Sequence, residues 1–430
     1  MIAELPPALR RAVSPYTGIV RSVEECLAAT AEPRLFQASC EVGDDESLVG
    51  VGLGHLSGIG GTGATRAEAA SAAVGEALER YSASFVPQDR LVVSAARDLP
   101  GAVAPERFAL FSDRQLAEPS FRFRRFTADT VTTWVSGVEL PAGGDAWLPA
   151  DLVFLGRTGL PGSQPVGYAT SSGLACGADR DTAVSRGLFE VLERDAFMIV
   201  WANRLSLPVL DLDATRHRSL EGAFARTGLD YAGVDLSCFH GLPIVLGVVR
   251  ARGALGALGV GAAAAETSAR AWWKALAEAF ATRAAGATLA VLASGAAVRE
   301  ITGFEDHIRR YADPRHEAAT AFLDASPERR ALDGMPRLEG DTPRERIAAL
   351  CRRVEAAGAT AYVVDVTSPD VAALGLTVMR VVTPELCRLD VGEDARFLGP
   401  RRLYETPVAL GLRPAVLREA DVNPNPHPFP

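Results

Sequence analysis

The chain contains no C-x-x-C pair, no two histidines at metal-ligating spacing, no G-x-S-x-G elbow and no G-x-x-x-x-G-K-[ST] loop. Each absence removes a class of function. Without paired cysteines there is no zinc ribbon or dithiol redox centre. Without spaced histidines or the serine elbow, zinc hydrolase and triad readings lose their basis. Without the lysine-bearing glycine loop, a nucleotide would have to be held by some other construction. Excess basic charge is missing too. The formal net charge is −9, which argues against a nucleic-acid partner because phosphate backbones are held by basic surfaces. No basic-then-apolar order opens the chain, and its longest uncharged apolar run, residues 284–298, is too short to cross a bilayer. Heptads and solenoid repeats are absent. The cysteines, Cys26, Cys40, Cys176, Cys238, Cys351 and Cys387, are scattered, the pattern of buried thiols in a reducing compartment. These exclusions leave a cytoplasmic protein with no membrane segment. Its 430 residues at 48% hydrophobic content suffice for a large core.

What is present is concentrated in residues 170–195, TSSGLACGADRDTAVSRGLFEVLERD. The Ser- and Gly-rich opening suits a tight turn whose backbone N–H groups approach an anion closely. A helix follows, with Asp179 or Asp181 as its N-cap and Ala183, Gly187, Val191 and Arg194 on or near one face. Glu190 and Glu193 are three apart, so both project from one side beside Arg194. Two like charges there repel unless a cation lies between them, and a hard ion such as Mg²⁺ with phosphate oxygens would resolve the repulsion. The pattern also occurs earlier. GATRAEAASAAVGEALER (63–80) and GADRDTAVSRGLFEVLER (177–194) align at a constant offset of 114 residues (190 − 76 and 193 − 79). A single E-x-x-E-R is what any solvated helix face produces. Two copies, each behind a Gly-rich turn, read as two halves of one site.

These two stretches resemble the YcaO-type ATP-dependent enzymes that activate peptide amides, and the resemblance runs over nearly the whole chain. Gly61-Thr62-Gly63, residues 274–283, VDVTSPDVAALGLTVMRV, FLGPRRLY and the proline-rich C-terminus carry the rest of it. It implies an α+β fold: a YcaO-like domain with pseudo-duplicated Glu-bearing helices packed on mixed sheets around an ATP site. The domain would span 14–422, with a tail at 1–13 and a proline-rich tail at 423–430 reaching the active site. The resemblance implies Mg²⁺ held by Glu76, Glu79, Glu190, Glu193 and, on a later helix, Glu278. It implies ATP contacts from Gly61, Thr62, Gly63, Ser71, Ser172, Arg194 and Lys274. Four positions depart from the family pattern. Thr62 replaces a lysine, so a cation would come from elsewhere, such as Arg66. Ser71 stands one residue early, and Ser172 replaces an asparagine. Lys274 replaces an arginine, keeping the charge and losing the bidentate fork. Arg80 reads more as a structural partner of its neighbouring glutamates than Arg194 does.

The implied activity is ATP-dependent cyclodehydration of Cys, Ser or Thr in a ribosomal precursor peptide, giving thiazoline or (methyl)oxazoline. Thioamide formation and a non-catalytic scaffold are the alternatives. The implied partners are the precursor peptide, a separate E1-like or leader-recognition protein (little precedes Ser14), a flavin dehydrogenase, and a second copy in a homodimer. The ending NPNPHPFP biases residues 423–430 to a stiff polyproline rod. In azoline-forming members a P-x-P terminus points into the active site. Pro430, with His427 nearby, is therefore expected at the reacting amide as base or orienting group.

In chain order, IVRSVEE reads as an entry strand, and residues 49–58 as a strand feeding a glycine turn at 60–63. A helix over about 64–85 follows, then a strand-rich section containing RLVVSA, FRFRRF, TTWVSGVEL and AWLPADLVFL. LPVLDLD, CFHGLPIVLGVVRA and ALGALGVGAAAA read as strands of a buried sheet. A helix over 266–283 would be capped by Thr267 or Ser268, with Trp272, Leu276 and Phe280 as a packing stripe. Residues 304–345, rich in charge and proline, read as an exposed, partly helical surface excursion. A helix over 343–357, AYVVDV, a helix from Ser368 and LTVMRVV read as a compact β-α-β unit.

Overall fold

Three sheets organise the computed structural model, which describes residues 1–28, 32–43, 59–213, 215–225, 228–294 and 296–429. The first has β1 (Val20–Cys26), β2 (Phe36–Val42) and β3 (Gly60–Gly63), paired antiparallel in that order. The second contains β4 (Leu91–Ala95), β5 (Val131–Leu140), β6 (Asp145–Pro149), β7 (Leu174–Gly177), β13 (Ala361–Asp365) and β14 (Thr377–Val382). Its order is β4-β5-β13-β14-β7, with β6 beside β5. The third contains β8 (Val209–Asp211), β9 (Asp230–Asp235), β10 (Ile244–Arg250), β11 (Leu258–Ala264) and β12 (Arg329–Ala331), in the order β11-β10-β9-β8-β12. Thus β3, β7 and β11 are edge strands, one from each sheet.

Each of these edges feeds a long helix. β3 leads to α1 (Arg66–Ser84), β7 to α2 (Arg180–Asn203) and β11 to α3 (Ser268–Leu292). The N-caps Thr65, Asp179 and Thr267 each accept the backbone N–H three residues on, at Glu68, Thr182 and Arg270, satisfying a donor the helix leaves open. The sequence repeat is therefore structural, and it has a third member. The caps lie 114 residues (179 − 65) and 202 residues (267 − 65) after the first. α1 packs on β3 and β7, α2 on β7 and β11, and α3 on β11 and back on β3. The three units close a ring. Glycine permits the close approach: a Cβ on Gly63 would lie 2.5 Å from Ala69 N, and one on the equivalent Gly177 2.9 Å from Ala183 N.

The expected α+β architecture is present, with several local differences. Gly60–Gly63 is a strand rather than a turn, since it pairs with β2. The expected strand at 49–58 lies outside the described residues. FRFRRF forms no strand; Phe121 and Phe123 instead pack on Phe111, with ring centroids 5.0 and 4.8 Å away. α3 runs past Arg283 to Leu292 because the alanine-rich 284–290 run favours helix. By length and apolarity alone α3 would cross a membrane, yet it lies on β10 and β11 with Trp272, Leu276 and Phe280 buried. β13 and β14 are antiparallel; the connection between them, residues 366–376, is short for a parallel crossover.

Residues 304–345 are also not an exposed excursion. They contain α4 (Phe304–Ala312), whose His307 and Tyr311 are buried, and β12, which pairs with β8. α4 helps hold the C-terminal segment. Tyr311 donates its hydroxyl proton to Pro426 O, and the His307 ring stacks on His427 at 4.1 Å. Trp201 Nε1 donates to Asn425 O (3.0 Å), Asn423 N to Ala202 O (2.9 Å) and Arg396 Nη1 to Asn423 O (2.9 Å). Residues 423–429 are thus threaded along α2. At the other side of α2, Asp195 accepts both from Arg402 Nε (2.8 Å to Oδ2) and from Cys387 N (2.8 Å), which gives FLGPRRLY a structural part.

Candidate functional site

An edge strand leaves N–H groups unpaired, and here glutamates from the helices accept them. Gly60 N–H of β3 donates to Glu76 (3.2 Å) and Ala262 N–H of β11 to Glu278 (3.2 Å), each within its own unit. The second glutamate crosses to the next unit: Cys176 N–H of β7 donates to Glu79 (2.7 Å), and Ala264 N–H of β11 to Glu193 (2.9 Å). Four of the five glutamates proposed as ligands are therefore held by strand backbone, and the fifth, Glu190, pairs with Arg194 instead.

Burial pushes the carboxyl group of Glu79 up to about 8 against the lowering by Cys176 N–H, with Glu190 and Glu76 pushing the same way. Burial also raises Glu193 and Glu278, against the pull of Arg194. Arg194 lies among them, with Nη2 3.4 Å from Glu190 and Nη1 3.0 Å from Glu193. Burial alone would lower its pKa; the carboxylates of Glu193, Glu190 and Glu278 outweigh that and raise it. Arg80 pairs with Glu76 at 2.5 Å. Lys274, the chain's single lysine, is exposed on α3 one turn before Glu278.

The other expected contacts divide. Gly61 and Thr62 lie on β3, and Gly63 ends it against α1. Ser172 sits in the turn before β7, its carbonyl receiving Arg380 Nη1 at 2.6 Å. Ser71 lies on α1 five residues before Glu76 and eight before Glu79, about 140° and about 80° around the helix from them. Arg66 does not substitute for a glycine-loop lysine: it pairs with Glu25 at 3.0 Å and covers the Phe36 ring. His427 is not available as a base. Its Nε2 is 2.7 Å from Asp390 O, its Nδ1 accepts Phe429 N–H (3.2 Å), and burial with the adjacent His307 drives its pKa well below the ordinary value. The residue that does reach the site is Phe429, fully buried, with the Arg194 guanidinium 4.1 Å above its ring. Pro430 lies outside the described residues.

Three arginines were not anticipated. Arg186 precedes Glu190 by four residues as Lys274 precedes Glu278, and it donates to Cys176 O (2.9 Å). That K/R-x-x-x-E spacing was the available signal. Arg380 and Arg388, in the β14 region, line a narrow cleft of about 30 Å³ together with Arg194 and Ser172. Leu152, Tyr168 and Phe397 form its apolar end. Nothing in the local sequence distinguishes these two from surface arginines.

Among the described residues, no three acidic, thiol or imidazole groups are gathered as a cage for a bare ion. Carboxylates carried on three separate helices suit Mg²⁺, which takes one or two carboxylates together with phosphate oxygens and water. Buried carboxylates with elevated pKa values are groups that a cation would restore to the charged form. The donor set fits a nucleotide bound with its metal.

The family model "YcaO cyclodehydratase, ATP- and Mg²⁺-binding" matches residues 60–387. An uncharacterised protein of Methanothermobacter thermautotrophicus is 29% identical over 198 residues, 45% of this chain and 48% of that one. A heterocyclase in complex with substrate and cofactor superposes with a TM-score of 0.76 and 23% identity over 97% of this chain and 56% of that one. The E. coli microcin synthetase McbBCD complex gives a TM-score of 0.61 at 12% identity, over 95% and 96% of the two chains. The chain thus spans about half the length of the curated relative and of the first of these structures. By a match that includes all three strand–helix units and the glutamates on them, the chain belongs to the ATP- and Mg²⁺-binding YcaO family.

Proposed function

We propose that this chain catalyses ATP-dependent cyclodehydration of Cys, Ser or Thr in a ribosomally made precursor peptide, in the cytoplasm. The observation that supports it most is the ring of backbone-held carboxylates around Arg194, with the proline-rich segment docked against that arginine. In this reading Glu76, Glu79, Glu190, Glu193 and Glu278 hold Mg²⁺, which supplies charge neutralisation at the phosphates when bound. Arg194 and Lys274 neutralise phosphate oxygens, and the N–H groups of Gly61 to Gly63 and Ser172 approach the nucleotide. The thiol or hydroxyl adds to the preceding amide carbon. The former amide oxygen takes the γ-phosphoryl group from ATP, releasing ADP, and then leaves as phosphate while nitrogen forms the C=N bond and loses its proton. Phosphorylation converts a very poor leaving group into a good one. The chain's own contribution is orientation and preorganised charge.

Residues 423–429, bracketed by His427 rather than activated by it, deliver Pro430 toward the reacting amide in this proposal. A separate E1-like or leader-recognition protein would present the peptide. A flavin dehydrogenase acting on the azoline and a homodimer complete the proposed assembly. Incubation with ATP, Mg²⁺, a Cys/Ser/Thr-rich candidate peptide and the partner tests the reading by mass. Loss of one water per ring supports it; exchange of oxygen for sulfur or an unchanged peptide overturns it.

A further inference from the structure

The cleft beside Arg194 holds a guanidinium that, among the described residues, has no ion-pair partner. Arg194 is neutralised by Glu190 and Glu193. Arg380 donates to Ser172 O and Thr170 O, both at 2.6 Å, and so braces the turn before β7. Among the described residues no carboxylate pairs with Arg388, and its Nε and Nη2 are enclosed and unmatched. The nearest candidate, Glu385, is spent on Arg107 and on Thr360 N–H (3.2 Å). Burial lowers the pKa of Arg388 to about 10, with Glu385 only partly opposing this. An unpaired guanidinium in such a place is costly to fold around. A buried donor without a partner calls for an explanation, and an anion bound there would supply one.

We propose that Arg388, braced from behind by Arg380, is the receiving group for the phosphate that leaves the activated amide. The inference rests on the amide-phosphorylation reading above. When the C–O bond of the phosphorylated adduct breaks, its electron pair goes to the departing oxygen, so negative charge grows on phosphate. The nitrogen lone pair forms the C=N bond, and the nitrogen proton passes to solvent or a base. A planar fork with two free N–H groups matches two phosphate oxygens. Arg388 shares the cleft with Arg194 and Ser172, which the nucleotide reading places at the phosphates, and with Leu152, Tyr168 and Phe397, surfaces suited to a peptide side chain, so it stands where the transferred phosphoryl group and the peptide would meet.

The test uses the full chain without nucleotide, metal or peptide, melted in phosphate and in chloride at matched ionic strength. Wild type should melt higher in phosphate. Arg388→Met should melt higher than wild type in chloride, because it removes an unpaired buried charge, and should lose the phosphate-dependent rise. Arg388→Lys should keep part of that rise. In the assembled reaction, Arg388→Met should lower kcat for ring formation about ten-fold or more, the worth of one charge-assisted hydrogen bond, while affinity for a non-hydrolysable ATP analogue stays within about two-fold. Several outcomes would overturn the assignment. These are no phosphate effect in wild type, a phosphate effect that survives Arg388→Met, a variant that melts lower in chloride or fails to fold, or analogue affinity falling in step with kcat. The melting arms need no ring formation, so a failure of the cyclodehydration reading would show separately, as a peptide unchanged in mass.

Discussion

Truncating Phe429 to alanine tests whether the C-terminal segment is part of the site's architecture. The ring is fully buried, 4.8 Å from Phe197, and it lies beneath the Arg194 guanidinium at 4.1 Å. Truncation of a buried phenylalanine costs about 3–5 kcal/mol, and a desolvated cation–π contact is worth about 2 kcal/mol. The segment could escape the cavity penalty by detaching, which would cap the loss at its docking free energy. That escape is opposed by the bonds at Asn423, Asn425, Pro426 and His427, each worth about 1 kcal/mol net. We therefore expect a loss near 3 kcal/mol in chemical denaturation, at the low end of the range. Phe429→Leu should keep most of the apolar burial and lose mainly the ring contact, about 1–2 kcal/mol. Because Arg194 then loses the surface that fixes it among Glu190 and Glu193, ring formation should fall about ten-fold for each 1.4 kcal/mol of lost positioning. Phe429→Ala with wild-type stability and wild-type rate would refute the docked segment.

Three further outcomes follow from the same geometry. Glu193→Gln should abolish ATP turnover with the fold retained, because the amide oxygen can still accept Ala264 N–H while the charge opposite Arg194 is gone; full turnover in both Glu190→Gln and Glu193→Gln would remove these residues from the metal site. Without metal, the protein should lose stability as pH rises from about 4.5 towards 8. Glu79 holds its proton up to about 8 in the fold and Glu193 and Glu278 are raised as well, whereas the unfolded chain releases all three near the ordinary value of 4.5. The native state then binds more protons across that window, and a flat melting profile would contradict it. Tyr311→Phe should cost about 1–2 kcal/mol by leaving Pro426 O without its donor, with faster proteolysis of the C-terminal segment as the readout; unchanged proteolysis would show the bond to be dispensable.

Local signals carried most of the architecture. Cap residues, the E-x-x-E-R spacing and the apolar stripe of α3 each act over one or two helical turns, so α1 and α2 were legible to within two residues at their starts. What was not legible depends on pairing partners distant in the chain. β9 is a short strand whose identity comes from β10 beside it. The antiparallel sense of β13 and β14 is fixed by the sheet and not by the residues between them. Charge in 304–345 masked the burial of His307 and Tyr311, which are inside because residues 426 and 427 lie on them. His427 attracted a catalytic reading because an isolated histidine near a terminus carries no sign of its hydrogen-bond partners. Glu76, Glu79, Glu190 and Glu193 stood out because like charges at helical spacing are conspicuous, whereas Glu278 was expected only from the family resemblance. Arg388 was not legible, since its significance is the absence of a partner.

The third unit shows why the repeat was read as a pair, and it yields a last test. All three helices place a glutamate 11 residues after the cap (76 − 65, 190 − 179, 278 − 267). In α3, however, Ala281 and Thr282 stand where the first two have Glu79-Arg80 and Glu193-Arg194, so the E-x-x-E-R pattern is broken. The consequence is spatial. Glu79 crosses to β7 and Glu193 to β11, but no glutamate crosses from α3 to β3. Strand N–H groups alternate with period two, so Thr62 N–H faces the same open edge as Gly60 N–H, which Glu76 accepts. The ring is closed by carboxylate at two joints and left open at the Gly61-Thr62-Gly63 strand, where a phosphate would find a donor without a competing charge. Ala281→Glu should fill this joint as its counterparts fill theirs. It would then repel the nucleotide, lowering affinity for a Mg²⁺-bound ATP analogue about ten-fold or more, the effect of about 1.4 kcal/mol. Ala281→Gln, equal in size without the charge, should weaken binding far less. Equal affinities for wild type, Ala281→Glu and Ala281→Gln in a calorimetric titration would place the nucleotide phosphates away from β3.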